Sequence, residues 1–379
     1  MKKIICFILT LVLTLSLCAC GAPAEDAPAG EEVTLTDMVG RQITVRPGSY
    51  ERVVCIGAGA LRMYCYVGDT ALLCGVEDID NLTLSQRPQM FDSVARPYVL
   101  AYGDVFSTLP SCGVGGPMAQ TAEAEKILSC NPDIILSEYE DAEKADALQQ
   151  QLGVPVVTLK AGSQGVFDPA FADSMTLLGK VFGREEKAAQ LNAFVASQRA
   201  EIEAVVASID EQAKPSVYIC GLGNWGTTDH LMTAENFISF QVAGVRNVVS
   251  GLENKGVGAI EAEKFVSLGS QMDIMIIDAA AIKNIAPAYA KDPTMFDTCK
   301  AWQEGQVYLE LAYNAYYTNF ELHLLNTWYI AKVVYPEAFA QVDMTEKADQ
   351  ITQAFLGMEL AEELFAYQTY RQITADFFE

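Results

Sequence analysis

The sequence is short of positive charge and almost without histidine. Its 379 residues carry 49 Asp and Glu against 25 Lys and Arg, a formal charge of −24, and only two His, at 230 and 323. A chain this acidic is a poor partner for nucleic acid or for an anionic lipid surface. A receptor for bare zinc or manganese normally gathers several His with carboxylates, so two His disfavour that chemistry. Catalytic signatures are also missing. There is no Gly-x-Ser-x-Gly, no P-loop and no His-Glu-x-x-His, and no Cys-x-x-Cys is found among the ten Cys.

What is present begins with a leader. Lys2 and Lys3 form a basic start, residues 4–17 an apolar run too short for a comfortable membrane span, and Leu17-Cys18-Ala19-Cys20 resembles the bacterial lipobox. Residues 1–20 are expected to be a lipoprotein signal, with Cys20 as the lipidated residue. Residues 21–32, rich in Ala, Pro, Gly and acid, read as a flexible tether. Loss of Lys2 and Lys3 with the leader takes the charge from −24 to −26. Seven Cys then remain besides Cys20, an odd and scattered set, several inside apolar runs; buried free thiols are the reading that fits.

A helical run over residues 168–209 organises the middle of the chain. Phe171, Met175, Leu178, Phe182, Leu191, Phe194, Ile202, Val205 and Ile209 recur at steps of three and four, with charge opposite. The run is either a long core helix or a spine between two lobes, and Gly183 allows two collinear helices. A short echo on either side favours the spine. Glu123-Ala124-Glu125-Lys126 precedes Asp133-Ile134-Ile135, and Glu261-Ala262-Glu263-Lys264 precedes Asp273-Ile274-Met275. Apolar runs at 52–57, 72–77, 133–138 and 155–159, and again at 216–221, 273–278 and 306–311, predict parallel strands covered on both faces. Helices are expected at 320–334 and 345–355. Residues 78–117, with four Pro, read as a long irregular insert of the kind that is functional or disordered.

The motifs taken in order resemble a family. Leu35-Thr36-Asp37-Met38-Val39-Gly40-Arg41, Arg52-Val53-Val54-Cys55-Ile56-Gly57, Asn131-Pro132-Asp133-Ile134-Ile135, Gly153-Val154-Pro155-Val156-Val157, Ala243-Gly244-Val245-Arg246-Asn247-Val248 and Ala331-Lys332-Val333-Val334-Tyr335-Pro336-Glu337 are similar to segments of the substrate-binding lipoproteins of ABC importers for iron complexes, haem and cobalamin. The resemblance covers residues 33–357. It implies an α/β fold with two Rossmann-like lobes, mostly parallel sheets and one long spine helix (a class III substrate-binding protein): a lobe at 33–166, a connecting helix at 167–211 and a lobe at 212–379. It implies ligand in the cleft between the lobes with little hinge motion, no enzymatic activity, no resident cofactor, an extracytoplasmic lipid-anchored location, and delivery to an ABC permease dimer with its ATPase. The glycine turn at 57–62 and the Pro-rich insert look most like the branch for ferric siderophores or haem. A cobalamin or metal-oxyanion receptor, a surface enzyme that processes metal chelates, and a surface sensor remain as alternatives.

Ligands of open α/β sheets lie beyond the carboxyl ends of the strands. That rule selects Gly59 and Arg62 after the first strand, the aromatic loop of Tyr313, Tyr316 and Tyr317, and Trp225 and His230 in a Gly-rich loop. Trp and Tyr offer wide apolar walls with a polar rim to a flat or greasy chelate. Arg62, Arg87 and Arg96, with Tyr98 beside the last, are candidate forks for a carboxylate, catecholate or haem propionate. His230 is a candidate haem-iron ligand; His323, inside an apolar helix, reads as core. In the family resembled, one Glu on each lobe meets an Arg of the permease, and the internal echo makes Glu125 and Glu263 the matching pair.

Overall fold

The computed structural model describes residues 30–116, 121–139, 141–223, 229–252, 255–374 and 377. The leader and Cys20 lie outside the described residues.

The described chain opens on a hairpin, β1 (Val33–Thr36) and β2 (Gln42–Val45), whose alternating burial follows the pleat. Its turn is set by Asp37, whose carboxylate accepts from the N–H groups of Val39 and Arg41. Five strands follow: β3 (Val53–Ile56), β4 (Leu73–Glu77), β5 (Ser111–Gly113), β6 (Ile134–Ser137) and β7 (Val156–Thr158). They pair in parallel in the order β5-β4-β3-β6-β7. The second half carries β8 (Ser216–Cys220), β9 (Met232–Ala234), β10 (Arg246–Asn247), β11 (Val257–Ala259), β12 (Ile274–Asp278), β13 (Val307–Glu310) and β14 (Arg371–Gln372). Its main sheet runs β10-β8-β12-β13-β14, parallel except for β14, and β9 with β11 forms a small antiparallel pair. The strands fall where the apolar runs placed them. The architecture is the two-lobed α/β plan with mostly parallel sheets.

The internal echo has a physical cause. Helix Ala124–Ser129 leads into β6 and helix Ala262–Gly269 into β12. At the entry to β6 the Asp133 carboxylate accepts from the N–H groups of Glu51 and Arg52, at the start of β3. At the entry to β12 the Asp273 carboxylate accepts from Ser216 N–H, at the start of β8. The repeated Asp therefore staples each central pair of strands at its amino end.

Two expectations are corrected. The spine is not collinear: Pro169–Phe182 and Glu185–Val206 are separate helices packed side by side. Gly183, at φ 61°, takes the left-handed turn that ends the first helix, and both Gly183 N–H and Arg184 N–H return to the Gly179 carbonyl. Asn192 of the second helix donates to the Ala172 carbonyl of the first (3.0 Å), and a Cβ on Gly179 would lie 2.8 Å from that of Ala188. The insert is not irregular throughout. It holds helix Pro97–Ser107 and strand β5, because Pro97 sits in a first helical turn, where its missing N–H costs nothing.

The core runs through both halves. The Phe171 ring of the first spine helix lies 4.3 Å from that of Phe320, and Tyr66 of helix Ala60–Val67 lies 5.0 Å from Phe355. Trp328 of helix Phe320–Val334 donates to Gln198 of the second spine helix (3.1 Å). All seven described Cys are buried and free. His323 is 2 % exposed, accepts from Val166 N–H and meets Ser239 Oγ, as a satisfied core residue does.

Candidate functional site

The carboxyl ends of β3, β4 and β6 open towards the loop 311–319 that follows β13, and this junction holds most of the residues singled out from sequence. Gly57 and Gly59, at φ 86° and 102°, turn the chain from β3 into helix Ala60–Val67. The turn is already furnished with carboxylates. Glu77, the last residue of β4, accepts from Gly57 N–H (3.1 Å) and from Tyr316 O–H (2.5 Å). The Glu138 carboxylate fills the space against Gly59, where a Cβ would lie 2.5 Å from its Oε2. Burial pushes the Glu77 carboxyl up to about 7, against the pull of its two donors.

Arg62 is the third residue of a helix rather than part of a loop, and it is 0 % exposed. Its guanidinium reaches across to the other half of the molecule. Nε donates to Asn319 Oδ1 (3.0 Å), Nη1 to the Thr318 carbonyl (3.0 Å), and Nη2 to the carbonyls of Ala315 (2.8 Å) and Tyr316 (3.0 Å). The Tyr98 ring lies 4.8 Å below it. Tyr66 O–H donates to Glu321 in the same seam. This fork was expected to meet ligand; it is spent on holding a loop.

That loop is strained. Tyr316 and Tyr317 take successive φ values of 51° and 73°, a left-handed pair that non-glycine residues rarely form. The Asn319 N–H bond to the Tyr313 carbonyl and the Arg62 clamp hold it there. The outcome is a division of the aromatics. Tyr316 is buried against Glu77 and Phe91, Tyr313 is buried 5.1 Å from the His323 ring, and Tyr317 is left 40 % exposed with its O–H near the Gly162 carbonyl.

The other arginines are likewise engaged. Arg96 is 4 % exposed and pairs with Asp80, which Tyr98 also bonds (2.5 Å). Arg87 pairs with Asp92 through both terminal nitrogens, at 2.7 and 2.9 Å. His230 stands apart from all of these. It lies among Phe265, Phe296 and Met295, whose sulfur is 2.9 Å from Nε2, and burial lowers its pKa. Trp225 lies outside the described residues. Glu125 and Glu263 are exposed in the first turns of the two equivalent helices, each followed one turn later by an exposed aliphatic residue, Leu128 and Val266. Glu123, by contrast, is occupied by Val114 N–H and Lys126.

Sequence reading missed a second set of acids. Asp278 and Glu310 end β12 and β13, face each other in register and are 0 % exposed. Asp278 Oδ1 caps the following turn, but its Oδ2 and both Glu310 oxygens have no partner among the described residues. Burial raises Asp278 to about 7; burial and then the Asp278 charge raise Glu310 well above the carboxylate range. The available signal was an acid terminating an apolar strand run, as Glu77 also does. Among the described residues no group of three His, Cys, Asp or Glu is placed to hold a metal ion.

A two-lobed α/β body whose strand ends converge on a clamped, strained loop is the frame on which the site is built. The family model described as periplasmic binding protein matches residues 60–310, and the chain belongs to that family. Its members bind solutes for transport rather than catalyse reactions, and they carry ligands rather than cofactors. An ABC transporter solute binding protein from Sulfurospirillum deleyianum shares 21 % identity over 88 % of this chain and 98 % of its own, with a TM-score of 0.61. The molybdate periplasmic binding protein of a Haemophilus influenzae ABC transporter shares 16 % over 86 % and 98 %, at 0.63. A periplasmic heme binding protein from Pseudomonas aeruginosa shares 19 % over 76 % and 94 %, at 0.50. At these identities the likeness is one of fold. No curated protein matches the sequence.

Proposed function

We propose that this ABC-transporter solute-binding protein captures a metal chelate, a ferric siderophore or haem in the first place, between its two lobes and delivers it to the permease. One observation carries the reading. A strained aromatic loop is clamped by Arg62 so that Tyr317 stands exposed near the Gly162 carbonyl, and strain kept at a strand-end loop is a mark of a binding site. Gly59 and Tyr317 would border the ligand, and Trp225 is a further candidate from the sequence; Arg62, Arg96, Tyr98, Tyr313 and Tyr316 would position that surface from behind. The lobes divide at 33–166 and 212–379, with the helix pair of 167–211 between them. Cys20 would carry the lipid that holds the protein at the outer face of the membrane. Glu125 with Leu128 and Glu263 with Val266 would meet the two halves of the permease dimer, the carboxylates fixing register and the aliphatic groups adding buried area.

The test is the absorption spectrum of the purified protein after exposure to candidate ligands and removal of the excess. A retained charge-transfer band supports a ferric chelate and a Soret band supports haem. A corrin spectrum would move the reading to cobalamin. Retention of none of them by folded protein would defeat it. The molybdate-binding neighbour raises an oxyanion as a second reading, which the arginine pairings disfavour.

A further inference from the structure

We infer that the ligand carries no net negative charge: this receptor takes a neutral or cationic metal chelate and rejects anionic ones. The inference rests on the chelate reading above and narrows it.

Anion recognition in a protein cleft uses guanidinium forks, backbone N–H cradles or helix amino termini. At this junction, among the described residues, the forks and the glycine-turn cradle are engaged by the chain itself, with only the buried Arg87 Nε left unpartnered. Arg62 spends four bonds on Asn319 and three carbonyls. Arg96 is neutralised by Asp80 and Arg87 by Asp92, with both guanidinium groups at least nine-tenths buried. The backbone cradle at the glycine turn is occupied from within: Gly57 N–H is bonded to the Glu77 carboxylate, and the Glu138 carboxylate lies against Gly59, at the amino end of helix Ala60–Val67. That is the seat a phosphate, carboxylate or oxyanion would take. In the second sheet the ends of β12 and β13 carry the buried Asp278 and Glu310 and no arginine. Outside the leader every Lys and Arg belongs to the described residues, so no hidden segment supplies a cation. The cations that follow the strand ends are Lys160 after β7 and Lys283 after β12.

An anionic chelate would have to shed water without a free fork or cradle among the described residues to replace it, while the Glu138 carboxylate stands at the glycine turn. A neutral or cationic chelate meets neither penalty, and the exposed Tyr317 ring offers its face to a cationic or apolar rim. This excludes haem, through its propionates, and tris-catecholate complexes, and it favours ferric trihydroxamates.

The test is fluorescence-quenching titration of the full chain in detergent with three probes: the cationic ferric complex of desferrioxamine B, a ferric tris-catecholate, and haem. The expected result is that the cationic complex binds at least about tenfold more tightly than either anion, with Glu138→Gln eroding that preference while the melting temperature holds. Equal or tighter binding of an anionic probe overturns the inference and leaves the chelate reading standing; loss of that binding in Lys160→Ala or Lys283→Ala would show which ammonium was responsible. If the folded protein binds no chelate, including a neutral trihydroxamate added as a fourth probe, the chelate reading itself falls.

Discussion

Arg62 shows why a residue can be singled out from sequence while its partners stay illegible. Its place after a glycine turn drew attention to it, but sequence cannot tell whether a guanidinium faces ligand or the protein's own carbonyls. The deciding partners lie more than 250 positions away. Truncation would leave three buried carbonyls and an amide without a donor, a loss of roughly 3–5 kcal/mol. Arg62→Ala should therefore lower the melting temperature sharply, as well as weakening ligand binding through the slackened Tyr317 loop. Tyr317→Ala, at an exposed position, should weaken binding with almost no change in melting temperature. Thermal melts of both variants beside ligand titrations check the pair, and a stable Arg62→Ala protein would contradict the clamp. The buried acids carry a pH dependence. Glu77 and Asp278 near 7, and Glu310 raised well above the ordinary carboxyl value, mean that the native state keeps protons the unfolded chain has released. Their contribution is full below the ordinary carboxyl range and drains as pH rises through about 7. His323, lowered to about 4 by burial, works in the opposite sense only below the ordinary His value. From about pH 6.5 to about pH 8 the melting temperature should therefore fall, and Asp278→Asn with Glu310→Gln should remove the larger part of that slope. An unchanged slope in the double variant would show that these groups are not the cause.

At the scale of elements, strands were the legible part. Runs such as Val53–Ile56 and residues 274–277 are uniformly apolar and sharply bounded, so composition and boundary agree. The paired helices were half legible. Periodicity found both apolar faces, but a period cannot distinguish two collinear helices from two packed side by side; that depends on the φ of one glycine and on Gly179 leaving room for Ala188. Helix Pro97–Ser107 was missed because Pro was read as a breaker when it served as a starter. The side-by-side packing makes a specific demand. Gly179→Val adds methyl groups where Ala188 and the Glu185 backbone already stand, and should destabilise the protein by about 2 kcal/mol or more. Denaturant titration measures it; a neutral result would mean that the two helices do not touch there.

For the whole molecule, the echo before β6 and β12 revealed two similar halves from sequence alone, since each repeated Asp staples a strand pair. The continuity of the core between the halves was not legible, because Phe171, Phe320, Phe355 and Tyr66 meet only in three dimensions. A body with a shared core and a buried polar seam cannot open widely without exposing both, so ligand-linked closure should be small, and on the proposed function the permease would recognise loaded protein by its two rims together. The most direct test of the central claim is ATP hydrolysis by the cognate transporter in proteoliposomes, with this protein added with and without a ferric trihydroxamate. The account predicts stimulation by the loaded protein, lost in Glu125→Ala with Glu263→Ala although that variant binds the chelate normally. Absence of stimulation by wild-type protein that demonstrably holds the chelate would contradict it.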